Sequence, residues 1–310
     1  MIQEQIFLQP LTLEHAQEMA KAQLGNFKYL AGGTDLMVNR FQGNEDAVCL
    51  IDLTGIEELA GVKKEGEYLK IGALTRLDDL NKYPEIISEF PILIEAAQSV
   101  GSPLVRKTAT IGGNLLCENR CLFYNQSDWW RQAVGYCLKC EGEICIATGG
   151  KKACFSEMVS DAAPASISMD ALLEISDFDG ENTVKLEDIY TGDGVNPRNI
   201  SPTAILKSIL LPLNRHFKSV FKKLRQRESL EFTSLTTAVT VDEKNKLKIA
   251  MSGVDPKPVV VEGTAFDEKE ELIKKALRGA RAIDNELFSR KYRRVMIGVF
   301  LRQSFEKLKI

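Results

Sequence analysis

The chain has 310 residues, 44% of them hydrophobic, with 40 Lys and Arg against 43 Asp and Glu for a formal charge of −3. That length accommodates two domains, or one large core with an appendage, and the apolar content supports a buried interior. No run approaches the roughly 18 uninterrupted apolar residues of a membrane span, no basic excess points to nucleic acid, and the N-terminal residues lack the pattern of a secretory signal, so the sequence predicts a cytoplasmic protein.

Thr12 is placed to cap an amphipathic helix with Ala16, Met19 and Ala20 on one face. Lys28 to Ala31 reads as a short buried strand running into Gly32-Gly33, and a helix begins at Thr34-Asp35. Val48 to Leu53 and the alternating Tyr68 to Ile71 read as strands, with Thr75 as cap of the next helix. Pro91 to Val100 predicts a helix broken at Gly101-Ser102-Pro103, leading past Arg106-Lys107 to Thr110-Ile111-Gly112-Gly113-Asn114. Six of the seven cysteines follow, between 117 and 154. Strand character returns at Ala171 to Ile175 and at Ala204 to Leu211, where Pro212 marks a domain boundary. Phe232 to Val241 and Leu247 to Met251 predict antiparallel strands joined by the turn Asp242 to Lys246. Two helices follow, the first with Asp267 and Glu270 spaced as a capping box, and the basic run Arg290-Lys291-Tyr292-Arg293-Arg294 reads as the solvated face of the last.

Adjacent glycines after a strand let backbone amides approach an anion, since no Cβ stands in the way. Gly32-Gly33 and Gly112-Gly113 have that form, and two such loops could grip one diphosphate from opposite sides; a plain tight turn is the competing reading of either alone. Neither a GxGxxG fingerprint nor a Walker A pattern occurs. In a reducing compartment clustered cysteines serve metals or redox chemistry more often than disulfides. Cys117-x3-Cys121 and Cys137-x2-Cys140 approach the spacing of a four-cysteine zinc site that would pin an insertion too short for its own core; the alternative takes Cys121, Cys137, Cys145 and Cys154 as the thiolates of a 4Fe-4S cluster, which tolerates irregular spacing. Cys49, in an apolar run, reads as a buried structural thiol, and the isolated His15 and His216 as surface residues.

Tyr29-Leu30-Ala31-Gly32-Gly33-Thr34-Asp35-Leu36 and Thr110-Ile111-Gly112-Gly113-Asn114 resemble the two flavin-binding loops of FAD-binding subunits in the xanthine dehydrogenase and molybdenum hydroxylase family. Asp161-Ala162-Ala163-Pro164, Ser201 to Leu206 through Leu211-Pro212, and Phe221 to Arg227 resemble its later segments in the expected order. The resemblance covers nearly the whole chain. It implies an α+β fold: a two-part FAD-binding domain of PCMH/CO dehydrogenase flavoprotein type at 1–213, with an insertion at about 117–157, and a C-terminal α+β domain of antiparallel strands and helices at 214–310. It further implies that the two loops hold the FAD diphosphate and ribityl parts, that Asp161 bonds the flavin's sugar-like chain, that Leu206 lies beside a ring system and that Lys223, or Lys222 in its place, stands near the isoalloxazine. A cap for Asp161, core for Leu206 and a solvated charge for Lys223 are the competing readings.

Most members of that family run directly from the second loop to the aspartate segment, whereas here the cysteine stretch intervenes. Cys121-Leu122-Phe123-Tyr124-Asn125-Gln126-Ser127, Trp130-Arg131 and Cys137-Leu138-Lys139 resemble the insertion of 4-hydroxybenzoyl-CoA reductase β subunits. That resemblance implies a 4Fe-4S cluster on Cys121, Cys137, Cys145 and Cys154, with Cys117 and Cys140 left over. Phe123, Tyr124, Trp129 and Trp130 read as the packing of a small satellite core, with shielding of the cluster or contact with a partner subunit as the competing reading. It implies an electron-transfer subunit without catalytic residues, taking electrons from a donor such as ferredoxin and working with a molybdenum-cofactor subunit and a 2Fe-2S subunit in a dimer of heterotrimers. A xanthine or aldehyde dehydrogenase type subunit passing electrons outward is the rival implication. This chain has no C-x4-C-x2-C run for a 2Fe-2S centre.

Overall fold

Short apolar strands alternating with helices pair in parallel in the N-terminal part of the computed structural model, which describes residues 5–310. Strands β1 (Ile6–Leu8), β2 (Phe27–Leu30) and β3 (Cys49–Asp52) form a sheet in the order β1-β3-β2. Helix α1 (Leu13–Ala22) is capped by Thr12, whose hydroxyl accepts from His15 N at 3.2 Å, and buries Leu13, Ala16 and Ala20 in one cluster with Cys49 and Ile51. Cys49 is a fully buried free thiol. Helix α2 (Leu36–Phe41) follows the first glycine loop.

The second sheet is antiparallel: β4 (Val62–Glu65), β5 (Tyr68–Gly72), β6 (Leu172–Asp177), β7 (Gly180–Lys185) and β8 (Ile205–Pro212), in the order β4-β5-β8-β6-β7. Its core is closed by α3 (Pro84–Glu89), α4 (Pro91–Gln98), α5 (Pro103–Arg106) and α6 (Ile111–Leu115). Proline opens the first three, where its missing N–H costs nothing. The cysteine stretch carries α7 (Asp128–Val134), and α8 (Ala162–Ser168), buried throughout, comes after it.

The third sheet contains β9 (Phe217–Leu224), β10 (Leu235–Asp242), β11 (Lys246–Ser252) and β12 (Val259–Thr264), in the order β12-β11-β10-β9. β10 is buried on both faces, and its alternation explains why. Leu235, Val239 and Val241 join the cluster of α9 (Lys269–Gly279) and α10 (Arg290–Leu308), whereas Thr236, Ala238 and Thr240 turn toward α8. The third sheet thus presses α8 against the second. Among the described residues no helix is long and apolar enough to cross a membrane.

Three local expectations change. Thr75 caps no helix: its hydroxyl accepts from Gly61 N at 3.0 Å and ties that turn to β5's exit. Asp267 and Glu270 form no capping box, because α9 starts beyond Asp267 and the Asp267 carboxylate instead bonds Thr264 N and Oγ1. The basic run of α10 is not a uniformly solvated face: Arg293 is fully buried, in ion pairs with Glu157 and Glu286.

Candidate functional site

The two glycine loops meet. A Cβ on Gly32 would lie 1.9 Å from Thr108 O, so only glycine lets the first loop rest on the backbone that leads into the second. Gly33 sits at φ +69°, a left-handed turn that sends the chain from β2 into α2. Within the chain the amides of Gly32, Gly33, Thr34 and Asp35 donate no hydrogen bond among the described residues, leaving a row of donors open to an acceptor. Tyr29, beneath them, gives its hydroxyl to Thr203 O at 2.9 Å, and Leu30 to Asp35 are all half-buried.

In the second loop the amides of Ile111 to Asn114 have partners within the chain. Ile111 N goes to Thr75 O and Gly112 N to Ala73 O, both at 2.9 Å, Gly113 N to Thr110 Oγ1 at 3.1 Å, and Asn114 N to Thr110 O at 3.0 Å. The loop is the first turn of α6, so its donors are spent on the cap and on the exit of β5. Asn114 Oδ1 accepts from Ser160 Oγ at 2.9 Å and Ala162 N at 3.1 Å, which fixes the segment carrying Asp161.

Asp161 stands just before α8 but makes no cap bond. One carboxylate oxygen takes Lys223 Nζ at 2.5 Å and the other Thr236 Oγ1 at 2.7 Å. Lys223 on β9 and Thr236 on β10 are register partners, so one step of the ladder presents both to Asp161. Lys223 Nζ also bonds Ser99 O at 2.9 Å and Glu231 O at 3.1 Å. Burial pushes the Asp161 carboxyl up against the pull of Lys223 and Thr236. Lys222 points to the other face, its ammonium 5.7 Å from the Phe300 ring. Leu206 is buried in the core beside Ile175 and Ile209.

The cysteine stretch leaves and returns through one narrow neck. Arg120 N donates to Glu157 O at 2.8 Å and Glu157 N to Arg120 O at 2.7 Å, while Asn119 Nδ2 spans Ser156 O and Pro256 O, both at 2.9 Å. Beyond the neck, Arg131 anchors the stretch to the N-terminal lobe through Gly43 O at 3.0 Å, and Leu122 N donates to Asn285 O at 2.9 Å. Cys121, Cys137, Cys145 and Cys154 line one small pocket with Phe123, Tyr124, Leu138, Lys139, Ile146, Phe155 and Ile283. Neither Cys117 nor Cys140 lines it. Trp129 is mostly exposed, so the pocket's aromatic wall comes from Phe123, Tyr124 and Phe155.

All these thiols are free. Burial raises Cys117 to about 12, Cys121 to about 11, and Cys154 upward, despite the Ser156 N–H 3.5 Å from its sulfur. Cys140, by hydrogen-bonding Cys137, lowers Cys137 and is itself raised. Among the described residues no three His, Cys, Asp or Glu side chains converge where a single metal ion could sit.

Four polar residues that spacing did not single out, Glu118, Arg120, Lys139 and Arg198, stand at or near the neck of the stretch, and of these Lys139 lines the pocket. Buried Lys139 Nζ bonds Glu118 Oε2 at 3.0 Å and Gly194 O at 2.7 Å and lies 5.1 Å from the Tyr124 ring. Arg198 pairs with Glu118 and donates to Cys117 O at 2.8 Å. Burial would raise Glu118, but Lys139 and Arg198 outweigh it and hold the carboxyl at about 2.

Residues 2–214 match the family model described as the FAD binding domain in molybdopterin dehydrogenase. The aldehyde oxidoreductase FAD-binding subunit PaoB of Escherichia coli (strain K12) is 28% identical over 275 residues, 84% of this chain and 83% of that protein. The nicotinate dehydrogenase FAD-subunit of Eubacterium barkeri is 28% identical over 76% of this chain and 69% of its own length. A chain of the reconstituted CO dehydrogenase from Oligotropha carboxidovorans superposes with a TM-score of 0.76, covering 98% of this chain and 96% of that one at 20% identity, a likeness of fold.

Proposed function

Since the chain belongs to the family of FAD-binding domains in molybdopterin dehydrogenases, as an oxidoreductase subunit whose substrate site lies elsewhere, we propose that it is the electron-transfer flavoprotein of a 4-hydroxybenzoyl-CoA reductase-like complex. In this reading FAD lies along the first glycine loop toward Asp161, Leu206 and Lys223, and a 4Fe-4S cluster is held by Cys121, Cys137, Cys145 and Cys154. The domains divide near 213/214. The partners are a 2Fe-2S subunit and a molybdenum-cofactor subunit, in a dimer of heterotrimers served by a donor such as ferredoxin.

One observation carries the cluster assignment: the fold sorts the thiols, putting those four around one pocket and leaving out Cys117 and Cys140. The donor set fits, because four soft thiols in an apolar wall suit an iron-sulfur body. When bound, FAD exchanges one or two electrons and the cluster one, so together they connect donors and acceptors of unlike type. The chain's own residues supply the surroundings. The open amides of Gly32 to Asp35 can receive a diphosphate. Lys223 and Thr236 hold Asp161 in one orientation. Phe123, Tyr124 and Phe155 exclude water from the thiols, and the Ser156 N–H points at Cys154 Sγ, a contact of the kind that tunes a cluster's potential.

Anaerobically purified chain should carry FAD and about four iron; stoichiometric zinc with negligible iron overturns the cluster. The relatives named aldehyde oxidoreductase and nicotinate dehydrogenase favour a second reading, in which electrons leave molybdenum through this subunit. The assembled complex separates the two. Flavin oxidation by 4-hydroxybenzoyl-CoA after reduction with ferredoxin supports the first, and flavin reduction by an aldehyde or an N-heterocycle supports the second.

A further inference from the structure

The first glycine loop touches the cysteine stretch through one carboxylate. Asp35 Oδ2 accepts from Glu118 N at 2.9 Å, and Oδ1 is paired with the Arg120 guanidinium. Arg120 extends the connection, its Nη1 reaching Asn39 Oδ1 of α2 at 3.3 Å and its guanidinium lying 4.6 Å from the Phe232 ring. Its own backbone is clamped to Glu157 at the neck, and the next residue is Cys121, whose N–H is held by Asn125 Oδ1 at 3.0 Å. The side chain is nearly buried and its Nε has no partner, so it is held by this one constellation.

We propose that Arg120 is a positioning residue through which filling of the cysteine pocket and binding of FAD strengthen one another; the inference rests on the reading above. The physical argument is short. Asp35 ends the row of open amides, and both its oxygens are held by residues 118 and 120. Glu118 is held by Lys139 and Arg198 and the Arg120 backbone by Glu157, and the remaining tether is Cys121, which a bound cluster fixes and an empty pocket leaves to a few hydrogen bonds. A constraint on Cys121 is therefore a constraint on the donor row, and the linkage is reciprocal.

The test uses the full chain, anaerobic, in chelator-treated and iron-sulfide-reconstituted forms, with the FAD dissociation constant read from flavin fluorescence. Wild type should bind FAD about tenfold more tightly when loaded. Arg120→Gln should keep its iron but bring the ratio to within about twofold of unity, and Arg120→Lys, which keeps a charge for Asp35 but not the fork to Asn39, should restore part of it. A ratio near unity in iron-loaded wild type, an undiminished ratio in Arg120→Gln, or loss of iron from that variant overturns the coupling while leaving the cluster assignment standing. Wild type that takes up no iron overturns both, and the iron count tells the cases apart. If Arg120→Gln does not fold, Asp35→Asn removes the pair from the other end; a ratio preserved there also overturns the proposal.

Discussion

The glycine-loop cradle and the cysteine pocket adjoin at Asp35 and Arg120 but are built by opposite means. The cradle is backbone held by packing: β2 runs into it, Gly32 lies against the Thr108 carbonyl, and the second loop spends its donors on the body of the domain. The pocket is side chains held by little: one helix of seven residues, tight turns and a two-residue neck around thiols that burial keeps protonated at Cys121 and Cys154. One is packed against the body of the domain; the other closes on a space of only about 10 Å³. Small segments of the second kind get their folding energy from a bound metal.

The largest effects should therefore come from the pocket. Serine at Cys121, Cys137, Cys145 or Cys154 should take bound iron from about four per chain to near zero and open residues 121–154 to proteases, while Cys117→Ser and Cys140→Ser leave iron in place. Iron analysis beside limited proteolysis reads both. If the Cys117 and Cys140 variants lose metal and the Cys145 and Cys154 variants keep it, the paired-spacing ligand set is right instead.

In the cradle the damage should be steric and graded. Gly32→Val forces a side chain into the Thr108 carbonyl and should cost about 3 kcal/mol, a hundredfold or more in FAD affinity, as the loops part. Gly33→Val meets only side chains, 3.3 Å from Leu30 Cδ1, and pays mainly for φ +69°, about 1–2 kcal/mol. Equal FAD retention in both variants and wild type would take the loop out of the site. Lys223→Met leaves Asp161 buried with Thr236 alone and should destabilise the chain by about 3 kcal/mol in thermal unfolding. Lys222→Met, on the opposite face, should stay within about 0.5 kcal/mol. Equal losses would remove the distinction between the two lysines.

The same contrast explains what could be read from the sequence. The strand Tyr68–Gly72 shows in alternation, because Leu69 and Ile71 are buried with a period of two. The glycine pairs mark where backbones approach, and Gly32 is such a point. What spacing misses is partner choice across long separations. Cys117-x3-Cys121 looks like a ligand pair, yet the chain turns Cys117 toward Arg198 and Glu118 and only Cys121 toward the pocket. Arg293 reads as one charge in a surface run and is instead the buried partner of Glu157, 136 residues away. Arg120 gives no signal beyond preceding a cysteine, because its partners Asp35, Asn39 and Phe232 are all distant in sequence.

The smallest effect tests how much of the pocket's frame is electrostatic rather than covalent to a metal. Glu118 is held at about 2 against an ordinary 4.5, so its contribution is complete above the ordinary value and is lost as pH falls from there toward 2. The carboxylate is partly exposed, so solvent screening keeps the contribution below roughly 3 kcal/mol. In metal-free chain, the protection of residues 117–157 against hydrogen exchange, corrected for the intrinsic rate at each pH, should fall between pH 5 and 3 as Lys139 and Arg198 lose their partner. Glu118→Gln should exchange faster at pH 6 and lose most of that acid dependence, since Lys139 remains buried beside a neutral amide. A variant that keeps the wild-type acid slope would assign it to other carboxylates and leave the neck hydrogen bonds between Arg120 and Glu157 as the main restraint on the empty pocket.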